Sequence, residues 1–208
     1  MNLPNRITLG RFLFALVLFG YLVATDTCSH GGWLQPLVAG AAFGLAVATD
    51  ALDGYFARKL GQQTDFGRIA DPVVDKVIVC GTFIFLASAA WPRALLGGLV
   101  WMVVVIVTRE FMVSGLRGFI EARGVAFPAM WDGKLKMVLQ CVAIPAFFAF
   151  HAADLGAPDA RWLVDGLRWV TILSMWATFF MTVVSGARYT LAAARVLREN
   201  GDDASMAR

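Results

Sequence analysis

The chain of 208 residues is poor in charge: only 16% of its residues are charged, whereas 59% are hydrophobic. Soluble domains carry about 25% charged residues, and a soluble globule of this length could not hide so much apolar surface. The same scarcity excludes a disordered chain, which needs low hydrophobicity and high net charge. A membrane protein with several crossings remains, because lipid takes up the apolar surface and about 20 apolar residues make one crossing.

Two further features are missing. Cys28, Cys80 and Cys141 form no C-x-x-C spacing, so no disulfide framework is predicted. The net charge of +3 comes from basic residues that form no dense stripe with interleaved aromatic residues, so no nucleic-acid partner is predicted. The first apolar run lacks a clear cleavage site of small residues after it, and we expect it to remain as the first crossing.

Six apolar stretches predict an all-α integral membrane protein with six transmembrane helices, since an open strand cannot satisfy its backbone in lipid. The stretches are 8–24, 33–56, 69–91, 94–114, 136–153 and 167–190. Turn-forming residues lie between them, and no internal repeat suggests a second domain. We expect one transmembrane domain over residues 1–190 and a polar C-terminal tail over residues 191–208, disordered after a helical turn or two.

The lysine and arginine residues predict the orientation. If the N-terminus is cytoplasmic, 15 of the 18 lie on the cytoplasmic side, and only Arg93, Arg161 and Arg168 lie on the other. The positive-inside rule therefore places both termini in the cytoplasm. The basic excess is an orientation signal of a multi-pass protein in the cell membrane, which in bacteria is the inner or cytoplasmic membrane.

Four carboxylates lie at the cytoplasmic ends of the second and third predicted helices. Asp50 and Asp53 are three residues apart and share one helix face, and Asp71 and Asp75 are four apart and share another. Four converging negative charges would repel one another unless cations intervened. Two divalent ions would neutralise them, and oxygen ligands favour Mg²⁺, Mn²⁺ or Ca²⁺ over zinc.

The residues around these carboxylates suit a phosphate ester. Arg58 follows Asp53 by five residues and can bind a phosphate through its fork of donors. Gly54, Ala57 and Gly67 are small, so a bulky ligand can approach the backbone.

Each residue also has a simpler interpretation. Asp71 before a proline is typical of a helix N-cap, Asp53 before a glycine of a helix end, and Arg58 of an anchor at the membrane surface. Together, however, four acids at these spacings beside lipid favour a functional site, because ionisable groups near membrane depth are costly.

The pattern D-x2-D-G-x2-A-R-x8-G-x3-D-x3-D is identified as the signature of the CDP-alcohol phosphatidyltransferase family. Every position of the signature is filled, by Asp50, Asp53, Gly54, Ala57, Arg58, Gly67, Asp71 and Asp75. The resemblance implies the CDP-alcohol phosphotransferase fold and the transfer of a phosphatidyl group from a CDP-linked lipid to an alcohol, with release of CMP. It also implies a homodimer whose site faces the cytoplasm.

The resemblance also implies roles for individual residues. Asp50, Asp53, Asp71 and Asp75 would bind two Mg²⁺ or Mn²⁺ ions, and Asp75 would also act as the base on the acceptor hydroxyl. The residues predicted to bind CDP-diacylglycerol are Asn5, Thr8, Gly54, Ala57, Arg58, Thr64 and Gly67.

The acceptor alcohol is predicted from a second group of cations on the same side. Arg109, Arg117, Lys134 and Lys136 favour a phosphorylated alcohol over a neutral one. Two alternatives stay open: Arg109 could instead pair with Glu110 or with a carboxylate of the cluster, and the lysines could be interfacial anchors.

The blocks 2–11, 109–117 and 133–140 resemble the bacterial phosphatidylglycerophosphate synthase branch of the family, which implies sn-glycerol 3-phosphate as the acceptor. The likeness departs at Met137, where that branch usually carries threonine, and in the outward loops. Inositol phosphate, serine and phosphatidylglycerol are alternative acceptors. A divalent-cation transporter is an alternative from another class, but it would place its acids near the bilayer midplane on several helices.

Overall fold

A computed structural model describes the backbone of residues 3–25, 32–60, 65–88, 95–96, 99–123, 125 and 131–206. It describes the side chains of residues 9–25, 32–49, 73–88, 95–96, 99–123, 125, 131–196 and 198. No strand occurs in these parts of the chain, which agrees with the predicted all-α class.

Six helices of at least 22 residues form within the described ranges. They are α1 Leu3–Ala24, α2 Leu34–Leu60, α3 Asp65–Ser88, α4 Leu99–Glu121, α5 Trp131–Gly156 and α6 Arg161–Met206. Leu99–Glu121, Trp131–Gly156 and the segment Arg161–Val196 of α6 are long and apolar enough to cross a membrane. The chain is thus a helical membrane protein of several passes, with one helix for each predicted stretch.

Most helix bounds differ by a few residues from the predicted ones, and two of these differences change an interpretation of the sequence. Because α3 begins at Asp65, Pro72 lies inside the helix, and Asp71 is not an N-cap. Helix α6 continues to Met206 instead of ending a turn or two after residue 190. Hydropathy marks only the apolar part of such a helix, whereas the strong helix formers alanine, leucine and arginine continue the helix beyond it.

The helices pack in a closed ring. Helix α1 contacts α2, which contacts α5, followed by α6, α4 and α3, and α3 returns to α1. Fully buried side chains fill the ring: Phe43, Phe83, Leu86, Leu99, Met102, Ile106, Ile144, Phe147, Phe148 and Met175. These large apolar side chains hold the ring together by close van der Waals packing, because lipid is as apolar as they are and removes the hydrophobic driving force between helices.

Glycine permits the close approach of α2 and α5. A Cβ atom added at Gly40 would lie 2.9 Å from the Cβ of Phe148, and one added at Gly156 would lie 2.8 Å from the Cβ of Trp33. Position 40 on α2 thus meets position 148 on α5, and Trp33, directly before α2, meets the end of α5. The two helices therefore run antiparallel along a tight seam.

The outer surface of the ring is apolar. Val17 on α1, Leu45 on α2, Val104 on α4 and Leu173 on α6 are all more than half exposed. Contiguous exposed apolar surface of this kind marks contact with a membrane or a partner. Lipid chains are the natural neighbour of these faces, because several of these helices are long enough to span a bilayer.

Candidate active site

Three helices enclose a cavity of about 280 Å³ in the half of the ring that contains the start of α3, the end of α4 and the start of α5. Its walls carry Asp75, Lys76, Glu110, Lys136 and Gln140, together with Val79, Cys80, Gly133 and Met137. A pocket with several ionisable groups between apolar helices is a candidate for chemistry, because such groups are costly at membrane depth. The predicted base, Asp75, and one predicted phosphate-binding residue, Lys136, thus line the same cavity.

Asp75 is held by an arginine of another helix. The guanidinium of Arg11 on α1 donates a hydrogen bond to Oδ1 of Asp75 over 2.6 Å. The side chain of Arg11 is 9% exposed and that of Asp75 is 35% exposed. In the sequence, Arg11 counts among the cytoplasmic cations and ends the block 2–11 of the family resemblance, with no partner predicted for it. Its place within an apolar run was the one clue that it needs an anionic partner.

Glu110 is the centre of a buried network in this cavity. Its Oε1 accepts a hydrogen bond from Nζ of Lys136 and one of 3.4 Å from Nε2 of Gln140. Glu110, Lys136 and Gln140 are all buried. Burial of a lone ammonium would cost several kcal/mol, so Glu110 makes the buried position of Lys136 tolerable. The interfacial position considered for Lys136 does not match this burial.

Arg109 is not among the residues that line this cavity. Its guanidinium donates to Oγ of Ser185 over 2.9 Å, lies 3.6 Å from Oε1 of Glu110 and stacks 5.5 Å from the ring centre of Tyr189. Of the two anionic partners considered for Arg109, Glu110 is therefore beside it. Arg109 also lines an apolar groove of about 600 Å³ between α4 and α6.

The other predicted phosphate-binding cations lie outside the cavity. Arg117 donates to the hydroxyl of Tyr189 over 3.2 Å, and Lys134 is exposed on α5. Nearby, Arg188 of α6 pairs with Asp132 of α5 over 2.6 Å, and Arg188 is largely exposed. Of the four predicted cations, Lys136 alone is on the cavity wall as far as the described side chains show.

All of the other predicted site residues lie outside the described side chains, and one of them, Thr64, lies outside the described backbone as well. The others are Asn5, Thr8, Asp50, Asp53, Gly54, Ala57, Arg58, Gly67 and Asp71. The side chains that are described contain no group of three or more histidine, cysteine or acidic residues that could hold a metal.

The chemistry of the predicted ligands indicates whether they suit a divalent metal ion. Asp75, the described member of the four predicted ligands, presents a half-buried carboxylate that pairs with a cation. The sequence adds Asp71 on the same helix and Asp50 and Asp53 on α2. An all-oxygen set of this kind fits Mg²⁺ or Mn²⁺.

Comparison with known proteins gives matches over most of the chain. Residues 1–184 match the family model described as CDP-alcohol phosphatidyltransferase. A Bacillus subtilis (strain 168) protein named CDP-diacylglycerol--glycerol-3-phosphate 3-phosphatidyltransferase is 33% identical over 201 residues, which cover 90% of this chain and 93% of that protein. A Mycobacterium tuberculosis (strain H37Rv) protein named probable phosphatidylglycerophosphate synthase is 36% identical, over 96% of this chain and 84% of the other. A Rickettsia typhi protein with the same name as the Bacillus one is 31% identical, over 90% of this chain and 94% of that protein.

Proposed function

Because the chain belongs to the CDP-alcohol phosphatidyltransferase family, we propose that it transfers the phosphatidyl group of CDP-diacylglycerol to sn-glycerol 3-phosphate. The products are phosphatidylglycerophosphate and CMP. The names of the Bacillus and Rickettsia relatives support this acceptor. The structural observation that carries the proposal is that Asp75 and Lys136 line one cavity.

The reaction is a displacement at phosphorus. A hydroxyl oxygen of glycerol 3-phosphate bonds to the phosphorus that bears the diacylglycerol, and the bond from that phosphorus to the CMP oxygen breaks. The hydroxyl proton passes to the carboxylate of Asp75, and CMP leaves with the bonding electrons. A carboxylate can take this role where it reaches the hydroxyl within hydrogen-bond distance. The position of Asp75 on the cavity wall supports this assignment.

The predicted ligands and nucleotide contacts complete the proposal. Asp50, Asp53, Asp71 and Asp75 would hold two Mg²⁺ or Mn²⁺ ions, which supply charge stabilisation for the diphosphate and the departing CMP. The group that would hold CDP-diacylglycerol comprises Asn5, Thr8, Gly54, Ala57, Arg58, Thr64 and Gly67. The full match of the eight-residue signature supports both sets.

Lys136 is proposed as the main contact of the acceptor phosphate. It is a buried cation on the wall of the cavity that also contains Asp75. Arg109 and Arg117 both lie against Tyr189, and we propose that they add positive potential behind this site. Lys134 is exposed one turn from the start of α5 and would draw the anionic acceptor from the cytoplasm.

The membrane arrangement is proposed with the chemistry. All six helices would cross the bilayer, with both termini and the cavity on the cytoplasmic side of the inner membrane. The distribution of lysine and arginine supports this orientation. Two copies would form a homodimer, as the family resemblance implies.

A panel of acceptors tests the proposed function. Purified protein in detergent is given CDP-diacylglycerol and Mg²⁺ with radiolabelled glycerol 3-phosphate, inositol phosphate, serine or phosphatidylglycerol. We expect CMP release and a new labelled lipid product, distinct from the labelled acceptor, only with glycerol 3-phosphate. Turnover with another acceptor would correct the acceptor, and cation flux into proteoliposomes without nucleotide would favour the transporter alternative.

A further inference from the structure

The carboxylate of Glu110 uses its two oxygens unequally. The contacts from Lys136, Gln140 and Arg109 all end on Oε1. No donor from the described part of the chain reaches Oε2, although Glu110 lines the cavity that contains Asp75. A carboxylate accepts up to about four hydrogen bonds, so Oε2 keeps its accepting capacity within the described contacts of this cavity-lining residue.

Lys136 has capacity left as well. An ammonium carries three donors, and within the described residues the hydrogen bond from Lys136 goes to Glu110 alone. Lys136 lines the same cavity and is 4% exposed. The cavity therefore presents a donor for an anion beside an acceptor for a hydroxyl, and Glu110 fixes the distance between the two.

We propose that Glu110 determines the acceptor specificity of the cavity: Oε1 holds Lys136 in place for the acceptor phosphate, and Oε2 accepts a hydrogen bond from the acceptor hydroxyl that does not react. This inference rests on the proposed function. Glycerol 3-phosphate has one hydroxyl to attack phosphorus and a second one at C2. The second hydroxyl is the group that Oε2 would bind.

An acceptor without the C2 hydroxyl tests this inference on the unchanged protein. The compound is 3-hydroxypropyl phosphate, which keeps the phosphate and the primary hydroxyl. Hydrogen bonds to charged groups contribute about 1.5–3 kcal/mol, so kcat/KM should fall about 10- to 150-fold relative to glycerol 3-phosphate. Equal use of both acceptors would overturn the inference and leave the proposed function intact. No turnover with either acceptor would overturn both.

The ratio of kcat/KM for the two acceptors in the variant Glu110→Gln tests the residue itself, because this ratio does not depend on how much of the variant is folded, although loss of the anion beside the buried Lys136 destabilises the protein. The substitution keeps the size of the side chain but removes the charge, so we expect the preference for glycerol 3-phosphate over the analogue to shrink to below about fivefold. The KM for glycerol 3-phosphate should rise at least about tenfold, while the KM for CDP-diacylglycerol changes little.

The matched control is Asp132→Asn, which breaks a pair between α5 and α6 outside the cavity. It should leave the ratio of the two acceptors unchanged. A preference that stays intact in Glu110→Gln, or that falls equally in Asp132→Asn, would refute the role of Glu110.

Discussion

The pair between Arg11 and Asp75 gives the most direct test of the site. Its two atoms are 2.6 Å apart, with 9% of the arginine side chain and 35% of the carboxylate side chain exposed. An exposed pair contributes about 0–1 kcal/mol, and removal of one partner of a buried pair costs about 3–5 kcal/mol. The contribution of the Arg11–Asp75 pair, which is of intermediate burial, should lie between these values, at about 2 kcal/mol. Loss of that much free energy of unfolding would lower Tm by about 4–8 °C for a chain of this size.

A double-mutant cycle with Arg11→Met and Asp75→Asn isolates this pair. Arg11 has further interactions, so the single variant alone would overstate the effect. Unfolding in detergent is followed for the four proteins, and the coupling is compared with that of Arg188→Met and Asp132→Asn. The second pair has the same 2.6 Å distance, but its arginine is 63% exposed. A coupling below about 0.5 kcal/mol for the first pair, or equal couplings for both pairs, would refute the reasoning.

Three further predictions follow from packing and chemistry. Gly40→Ala should destabilise the protein by about 1–3 kcal/mol, because the new Cβ would meet that of Phe148. Gly44→Ala is the control and should be neutral or slightly stabilising, because its new Cβ would meet nothing within 4 Å. Equal melting temperatures of the two variants in detergent would contradict this prediction. Lys136→Met should raise the KM for glycerol 3-phosphate at least about tenfold and leave the KM for CDP-diacylglycerol within about twofold, and an equal rise in both would show a general defect. Asp75→Asn should abolish CMP release while CDP-diacylglycerol still binds, and turnover in this variant would refute the assignment of Asp75 as the base. Chelation should stop turnover of the wild-type protein until Mg²⁺ or Mn²⁺ is added, and turnover in the presence of the chelator would refute the metal assignment.

The helices could be predicted from the sequence because apolar runs of about 20 residues leave few alternatives in lipid. Their ends could not be predicted as well, since hydropathy reports the lipid boundary and not the helix. Helix α6 shows this, because its polar last part stays helical to Met206. The same limitation explains the N-cap interpretation of Asp71, which fails because α3 begins at Asp65.

Of the predicted site residues, the described cavity contains Asp75 and Lys136, and the contacts of these two could not be predicted from the sequence. The spacing of the acids is local and visible in the sequence, whereas Arg11 and Asp75 are 64 positions apart and Lys136 and Glu110 are 26 apart. Which of these charges meet depends on which helices are neighbours. Periodicity shows which face of a helix is apolar but not which helix packs against it. Only the packed ring therefore shows that Lys136 lines the cavity whereas Arg109 and Arg117 lie against Tyr189.

The closed ring has a consequence for synthesis of the chain. Helix α6 is made last and closes the circle between α4 and α5. Before it inserts, Arg109 lacks Ser185 and Tyr189 and borders lipid on the side that α6 later covers. An arginine in that position costs about 2.5–3.5 kcal/mol on insertion scales. A truncated chain without α6 would therefore carry an arginine that has lost its hydrogen-bond partner and its aromatic partner, so the last helix stabilises a charge that the earlier helices have already placed.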